Sequence, residues 1–197
     1  MASGFNISTF KSRGLTLGGA RPTLFEVYLN IPSVVGADAA SADKFRFTCS
    51  GAQLPPATIG TISTSYFGRQ VKFAGDRTFS DWTVTVQNDE DFLVRSMFEK
   101  WSNSMNRLEA NVRDAGYANE NAYKSQLSVI QYGKEGNAIR QYDVIGAFPS
   151  SIDGISLNWE SANQIETFTV SFTYDYWLPA NEINNAYLGQ AVSPAST

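Results

Sequence analysis

The 197-residue sequence contains no histidine and only one cysteine, Cys49. Nucleophilic mechanisms that depend on a Ser-His or Cys-His pair are therefore excluded. One cysteine cannot form a disulfide within the chain, and without histidine it is a poor start for a metal site. We therefore predict a protein that is not an enzyme, with no catalytic, cofactor-binding or metal-binding residues. Cys49 itself is interpreted as a small core residue.

Positive charge and long apolar runs are also scarce. Fifteen Lys and Arg residues against 19 Asp and Glu residues give a formal net charge of −4, which argues against a surface built to neutralise nucleic-acid phosphates. No uncharged apolar run approaches the roughly 18 residues of a membrane helix. The first twenty residues lack the apolar block of a signal peptide. These absences predict a protein that is made in the cytoplasm and does not insert into membranes.

Aromatic and β-branched residues are abundant, and many alternate with polar ones. The hydrophobic fraction is 43% and the aromatic fraction 13%, a composition that predicts a globular chain rich in sheet. Trp82, Val84 and Val86 share one face of an extended segment, with threonines between them, which is typical of a half-buried strand. The same criteria predict further strands at residues 23–30, 44–50, 58–64, 68–74, 125–132, 140–148, 155–159 and 166–177.

One segment changes to helical spacing. Apolar residues recur every three or four positions between residues 92 and 101, and Asp89, Glu90 and Asp91 lie in the first turn, where the helix dipole favours carboxylates. A short helical turn is predicted within residues 107–113. We expect residues 23–30 and 44–50 to form a hairpin across a loop at 31–43, and Trp82 and Trp159 to be buried.

Many short strands with one good helix predict a mainly β fold. The predicted architecture is two packed antiparallel sheets, as a sandwich or a partly closed barrel, with one flanking α-helix. We divide the chain into an N-terminal arm (residues 1–20), a β domain (21–177) and a C-terminal tail (178–197). Unpaired strand edges in such a domain are templates for pairing with another chain.

Three collinear blocks resemble the tail tube protein family of large contractile-tailed bacteriophages (myoviruses). The blocks are ARPTLFEV at residues 20–27, AGDRTFSDWTVTVQNDE at 74–90 and NWESANQIETFTVSFTYDYW at 158–177. The loop at 31–43 and the tail at 178–197 look longer than in compact family members.

The resemblance implies a structural virion protein that self-assembles into stacked hexameric rings. Strands from every subunit would close into one β-barrel, whose lumen forms the inner tail tube and carries phage DNA into the host cell. The implied partners are further copies of the chain, the tail sheath protein, the baseplate tube initiator, the tape measure protein and the tail terminator. DNA would pass without specific binding, in a tube assembled in the host cytoplasm and kept in the virion.

Two alternative functions remain open at the level of sequence. The first is the tube of another contractile injection system, either pyocin-like or type VI secretion. The second is a monomeric carbohydrate-binding β-sandwich that uses exposed Tyr and Trp as stacking platforms. The Asp76–Arg77 pair could bridge subunits or act locally. The acidic residues weighed as lumen candidates are Glu26, Asp38, Asp43, Asp81, Asp143 and Asp153.

Overall fold

The computed structural model describes residues 6–36, 39–113, 115–117 and 119–180, which form a mainly β fold around one core. The strands in these ranges are β1 (Phe25–Leu29), β2 (Cys49–Ala52), β3 (Thr58–Tyr66), β4 (Arg69–Thr78), β5 (Trp82–Gln87), β6 (Ser125–Tyr132), β7 (Ala138–Ile152), β8 (Thr167–Thr173) and β9 (Tyr176–Ala180). The α-helices are α1 (Ile7–Arg13), α2 (Ala39–Thr48), α3 (Leu93–Met105) and α4 (Glu120–Tyr123), and Ser33–Val35 and Ala115–Tyr117 are 3-10 turns.

Two antiparallel sheets share the long strand β7. Sheet A has the order β1-β6-β7-β9, and sheet B has the order β2-β5-β8-β7. Residues 138–147 of β7 pair with β6, whereas residues 148–152 pair with β8. Strands β3 and β4 form a separate two-stranded sheet. The predicted mainly β fold with two packed antiparallel sheets is confirmed, and the one predicted helix, α3, is joined by few others in the described ranges.

The chain crosses between the two sheets at a corner built around Gly146. This residue has a φ of 71°, in the left-handed region that favours glycine. A Cβ atom at this position would overlap the carboxylate of Asp175. The backbone N–H of Asp175 donates to the Ile145 carbonyl at 3.0 Å. The segment predicted as one strand over 166–177 therefore splits into β8 and β9, because it changes sheets near Asp175.

The core lies between the sheets and is closed by α2 and α3. On sheet B, alternate residues of β5 pair across the strands with alternate residues of β8, so Trp82 lies opposite Phe172. Their rings lie 5.8 Å apart, and Phe98 of α3 packs on Phe172 at the same distance. Trp82 Nε1 also donates to the Gln53 carbonyl. The predicted burial of Trp82 and Cys49 is confirmed.

The predicted hairpin of residues 23–30 with 44–50 is wrong. Residues 44–48 lie in helix α2, and β1 pairs with β6. Phe45 and Phe47 suggested period-two alternation, but Phe45 enters the core together with Ser41, one helical turn earlier, while Phe47 is exposed. Ser41 and Phe45 are four residues apart, which places them on the same face of a helix. The packing of this face against the core outweighs the β propensity of the segment.

One further strand prediction is also wrong. Residues 155–159 form no strand, and the Trp159 side chain, which was predicted to be buried, is fully exposed. A few apolar residues suggested structure there without a neighbouring strand or core to pack against. The turn predicted within residues 107–113 is present, because the Asn111 N–H donates to the Arg107 carbonyl at 2.9 Å, the i, i+4 bond of a single helical turn.

The domain limits drawn from sequence stay a prediction. Helix α1 lies inside the predicted arm and has no buried residue, and β9 runs past residue 177 to Ala180 while pairing with β7. Residues 1–5 of the arm and 181–197 of the tail lie outside the described residues. No helix in the described ranges is long and apolar enough to cross a membrane.

Replacement of Trp82 by alanine should strongly destabilise the domain. Removing a fully buried aromatic side chain costs about 3–5 kcal/mol of unfolding free energy, enough to make the protein insoluble. Trp159→Ala is the matched control, because an exposed side chain should change stability by less than about 0.5 kcal/mol. Urea unfolding and soluble yield measure both variants. A normally stable, soluble Trp82→Ala protein would contradict the core assignment.

Gly146→Ala tests the corner where the sheets exchange strands. The left-handed backbone alone costs about 1–3 kcal/mol for a residue with a Cβ, and the overlap with Asp175 adds to this cost. Gly154→Ala is the control, since no atom lies within 4 Å of its added Cβ. Thermal melting should show a clear loss for the first variant and little change for the second. Equal melting temperatures would show that the corner tolerates a side chain.

Candidate assembly surfaces

A β-hairpin, β3–β4, stands away from the main body of the domain. Every residue of β3 is exposed, and in β4 only Gly75 is partly buried. The strands meet at Phe67-Gly68, where both residues have positive φ, 45° and 78°, the requirement of a type I′ turn. At about 3.4 Å per residue the nine residues of β3 span roughly 30 Å. The hairpin therefore offers a long surface to another molecule.

One side of this hairpin is apolar. The register places Ile62 opposite Phe73, Thr64 opposite Val71 and Tyr66 opposite Arg69, all on one face. The exposed fractions are 58% for Ile62, 57% for Phe73, 43% for Val71 and 68% for Tyr66. The other face carries Thr61, Ser63, Ser65, Gln70 and Lys72. We call the first side the apolar face of the hairpin. A contiguous exposed apolar patch of this kind marks an interaction surface.

The side of sheet B that faces away from the core is lined by hydroxyl groups. The register pairs Thr83 with Ser171, Thr85 with Thr169 and Gln87 with Thr167, between the buried pairs of the core side. Ser151 joins this surface opposite Ser171. We call this surface the hydroxyl face; its members are Thr83, Thr85, Gln87, Ser151, Thr167, Thr169, Ser171 and Thr173. None of these side chains is charged.

The outer side of sheet A carries a charged cluster instead. Arg46 of α2 donates to both oxygens of Glu26 at 3.1 and 3.0 Å, and its guanidinium lies 4.7 Å above the Tyr28 ring. Tyr28 and Tyr132 donate their hydroxyls to the same carboxylate at 2.9 and 2.8 Å. Although partial burial opposes it, these hydrogen bonds lower the pKa of Glu26 below its usual value. The cluster fastens α2 to the outer edge of sheet A.

Two lysines tie the ends of helices to neighbouring elements. Lys44 of α2 pairs with both Asp89 and Asp91 before α3, and hydrogen bonds from the lysine lower the pKa of both carboxyl groups. Asp91 also accepts from the Leu93 N–H at 3.0 Å. The prediction that Asp89, Glu90 and Asp91 lie in the first turn is wrong, because α3 begins only at Leu93 and the three acidic residues precede it. Lys124 bonds the Asp175 carboxylate at 3.0 Å beside the Gly146 corner. These pairs are exposed, and their role is to orient helices.

The acidic residues weighed as lumen candidates are spread over different surfaces. Asp81 and Asp153 flank the hydroxyl face, where they accept hydrogen bonds from Thr173 and Ser151. Glu26 and Asp143 lie on the outer side of sheet A, and Asp43 lies in α2. Asp38 is outside the described residues.

The Asp76–Arg77 pair and the groove beside α3 show no arrangement of reactive side chains in the described residues. Asp76 and Arg77 are both exposed on β4, and neither forms an ion pair with another residue in the described ranges. A groove of about 690 Å³ beside α3 is lined mostly by polar side chains, including Glu99 and Lys100. Across the described parts of the chain, no three His, Cys, Asp or Glu residues are grouped to hold a metal ion.

The chain matches a family model described as "Phage tail tube protein" over residues 20–180. The chain belongs to the phage tail tube protein family. It is 35% identical to tail tube protein gp19 of Enterobacteria phage T4 over 159 residues, which cover 80% of this chain and 90% of that protein. It is 26% identical to the tail tube protein of Serratia phage KSP90 over 160 residues, covering 80% and 86% of the two chains. The resemblance seen in the three sequence blocks is confirmed, and the chain is a structural tail protein.

Solved structures with the same fold come from contractile injection particles. A chain of the anti-feeding prophage (AFP) baseplate, 6-fold symmetrised, superposes with a TM-score of 0.58 at 10% identity, covering 82% of this chain and 95% of that one. A chain of the sheath-tube complex of the extracellular contractile injection system PVC gives a TM-score of 0.52 at 15% identity, covering 89% and 97%. At these identities the likeness concerns the fold alone.

Sequence reasoning missed the apolar face of the hairpin and the hydroxyl face of sheet B. The two strands of the hairpin were predicted, but the side-by-side placement of Ile62 and Phe73 depends on a register that only the structure supplies. The threonines of β5 and β8 were predicted to face away from the core, yet their union in one uncharged surface depends on the pairing of these strands. The two-residue alternation in the sequence predicts each strand and its two faces. It does not predict which strands pair or in which register.

The Glu26 cluster predicts a specific pH dependence. Because the folded pKa of Glu26 is below its unfolded value of about 4.3, the cluster stabilises the fold above that pH, and the contribution is lost as the pH falls through the folded pKa. Glu26→Gln should therefore be less stable than the unsubstituted chain at pH 7, with a difference that shrinks in acid. Urea unfolding at several pH values measures this difference.

Glu135→Gln provides the control for this experiment. Glu135 is an exposed carboxylate in the turn between β6 and β7, so its loss should leave stability close to that of the unsubstituted chain at pH 7. A Glu26→Gln deficit that stays constant from neutral to acidic pH would mean that packing, and not ionisation, holds the cluster together.

Proposed function

We propose that this chain forms the inner tail tube of a contractile-tailed phage, as hexameric rings stacked on one another, and that phage DNA passes through the tube into the host cell. The match of residues 20–180 to the tail tube family carries this proposal, because those residues make up the whole double-sheet body. Family membership also favours a tube over a monomeric carbohydrate-binding sandwich.

The apolar face of the hairpin is the contact we assign to a second copy of the chain. In the isolated chain Ile62 and Phe73 stay exposed side by side, although the core would be the favourable place for such side chains. A hairpin of one copy that packs on a different surface of the next makes a heterologous contact. Repetition of such a contact closes a ring or extends a filament.

Further partners follow from the same proposal. The solved relatives come from a sheath-tube complex and a baseplate. For this chain we propose contacts with the tail sheath protein, the baseplate tube initiator, the tape measure protein and the tail terminator. The tube assembles in the host cytoplasm and becomes part of the virion. It performs no catalysis, and DNA moves through it without specific binding.

A second candidate is the tube of another contractile injection system. The favouring observation is that chains with TM-scores above 0.5 include parts of such particles. The sequence relatives at 35% and 26% identity are phage proteins, and we therefore place the phage tail first. Neighbouring genes for capsid and DNA packaging would support the phage assignment, and neighbouring toxin genes would support the alternative.

Electron microscopy of the purified chain over a concentration series, with and without a baseplate nucleus, tests assembly. We expect rings or hollow tubes of uniform diameter. Phe73→Asp should abolish them, because it places a charge in the apolar contact. The control is Lys72→Asp, the adjacent residue on the polar side of the same strand. Circular dichroism melting of both variants checks that the domain remains folded.

Tubes formed equally well by Phe73→Asp would remove the hairpin from the contact. A native chain that stays monomeric at every concentration and on a baseplate nucleus would contradict the tube function itself. Loss of tubes in both variants would indicate that the hairpin tolerates no added acid, and the assignment to its apolar side would fail.

A further inference from the structure

The long loop between β7 and β8 carries apolar side chains that no other residue in the described ranges covers. We call residues 153–166 the Trp159 loop. Trp159 is fully exposed, and the exposed fractions are 80% for Leu157 and 68% for Ile165. Tryptophan is enriched among the buried anchors of protein contacts, and a group of exposed apolar side chains marks an interaction surface. The loop is therefore a candidate contact surface.

Hydrogen bonds fasten both ends of this loop to the body of the domain. At its end, the Asn88 N–H donates to the Glu166 carbonyl at 2.8 Å, and the Asn88 side-chain amide donates to the Glu166 carboxylate at 3.1 Å. At its beginning, Arg95 of α3 donates to the Asp153 carbonyl at 3.1 Å. The loop is therefore held in place before any partner arrives, which lowers the entropic cost of binding.

A cavity of about 420 Å³ lies within the loop, and Leu157 and Ile165 contribute to its lining. An apolar cavity of roughly 150 Å³ is enough to bind benzene, so this cavity can accept an aromatic side chain. Asn158, beside the cavity, accepts the Glu160 N–H on its Oδ1 at 3.0 Å. The resulting turn carries Trp159 at its tip.

The loop is also acidic. Its charged residues are Asp153, Glu160 and Glu166, and no Lys or Arg occurs anywhere after Arg140 in the sequence. Charges around a contact select partners of the opposite sign and repel others. The loop therefore favours a partner segment that combines apolar side chains with cations.

The N-terminal part of the chain has this composition. We call residues 6–21 the basic arm. It contains Lys11, Arg13 and Arg21, and no Asp or Glu precedes Glu26 in the sequence. Every residue of the basic arm is exposed. The arm and the Trp159 loop are therefore complementary in charge, and each leaves apolar side chains uncovered.

Helix α1 places two of the arm's apolar side chains together. Ile7 and Phe10 are three residues apart, which puts them on one side of the helix, and their exposed fractions are 72% and 60%. Asn6 caps the helix by accepting the Ser8 N–H at 3.0 Å. A helix of seven residues is nevertheless marginal in water unless it packs on a surface. Helix α1 therefore calls for a partner.

The basic arm and the Trp159 loop lie at opposite ends of β7. The arm leads into β1, which pairs with β6 beside the start of β7, and Gln131 Nε2 donates there to the Arg21 carbonyl at 3.4 Å. The loop follows Ile152, the last residue of β7. At about 3.3 Å per residue, the strand has a contour of roughly 50 Å. A contact from the arm of one copy to the loop of another joins different surfaces, so it can repeat from copy to copy.

We propose that the basic arm of one copy docks on the Trp159 loop of a second copy. Ile7 and Phe10 then pack against Leu157, Trp159 and Ile165, and Lys11 and Arg13 lie beside the carboxylates of the loop. The inference rests on the proposed self-assembly of the chain. It describes a contact separate from that of the apolar face of the hairpin.

The tip of the hairpin is the competing occupant of the loop. Phe67 is 92% exposed there, and Arg69 follows two residues later. The charge balance favours the arm, because the arm has three cations and no acidic residue, whereas Asp76 offsets part of the positive charge of the hairpin.

Cross-linking between differently substituted chains tests the contact with little background. The native Cys49 is buried, and burial raises its pKa to about 12, so it reacts slowly with maleimides. Chains with Ile7→Cys are mixed with chains with Ser156→Cys under conditions of assembly and treated with a short bismaleimide. The control replaces Ser156→Cys by Leu108→Cys, an exposed position beside α3.

We expect at least about fivefold more covalent dimer from the Ile7→Cys and Ser156→Cys mixture than from the control, because docking raises the effective concentration of the two thiols. Phe10→Cys with Ser161→Cys is the second pair. Trp159→Ala should raise the concentration needed for assembly at least about tenfold, with an unchanged melting temperature. Leu108→Ala should assemble like the native chain.

Several results would overturn the inference while the tube function stands. They are tubes without excess dimer from either pair, assembly of Trp159→Ala at the native concentration, and dimers formed when Phe67→Cys, but not Ile7→Cys, is mixed with Ser156→Cys. A chain carrying both Ile7→Cys and Ser156→Cys that cross-links within itself would place the arm on its own loop and also overturn the inference.

The proposed function and this inference can also fail separately in the other direction. Excess dimer from the arm and loop variants, in a native chain that forms no rings or tubes, would support the docking contact and contradict the tube function. Absence of both dimers and tubes overturns the inference together with the function.

Discussion

The packing of sheet B onto the aromatic core is the contact on which the rest of the structure depends. Trp82 and Phe172 lie 5.8 Å apart, Phe98 packs on Phe172 at the same distance, and Phe45 of α2 packs on Phe98 at 5.6 Å. These rings join sheet B to helices α2 and α3. Because strand residues alternate between faces, burial of the tryptophan and valines forces the intervening threonines outward. The hydroxyl face is therefore a direct consequence of the core.

A second constraint is the corner at Gly146. Strand β7 serves both sheets, and the returning chain passes from β8 to β9 at the same place, where Asp175 closes against the glycine. No residue with a Cβ fits there without moving the carboxylate that Lys124 binds. The angle between the two sheets, and so the direction of the hydroxyl face relative to the charged outer side of sheet A, depends on this contact.

The hairpin is a part of the chain that the core does not use. Its register brings Ile62 beside Phe73 in water, at a distance from the buried aromatic cluster. A monomeric protein rarely keeps such a surface, because two exposed strands with an apolar side promote association. In a protein built to associate, the same property becomes useful: the domain folds by burying one set of apolar residues and assembles by burying another.

The sequence alone determined the elements whose local pattern agrees with their final environment. Strand β6 was predicted at its observed bounds, the period-two pattern of Trp82 and its valines identified β5, and the apolar spacing of α3 identified the helix. Collinear residues also carried the family resemblance over most of the chain. In these segments each residue's local preference and its tertiary contacts favour the same conformation.

Only the tertiary structure decided the pairing and the surfaces. Phe45 and Phe47 fit a strand locally, but burial of Phe45 with Ser41 selects a helix, and Trp159 stays exposed because no strand lies beside it. Strand partners far apart in sequence, such as β1 with β6, follow from core packing that no local pattern reports. The hydroxyl face and the apolar face of the hairpin are both products of strand register, and register is fixed by the whole fold.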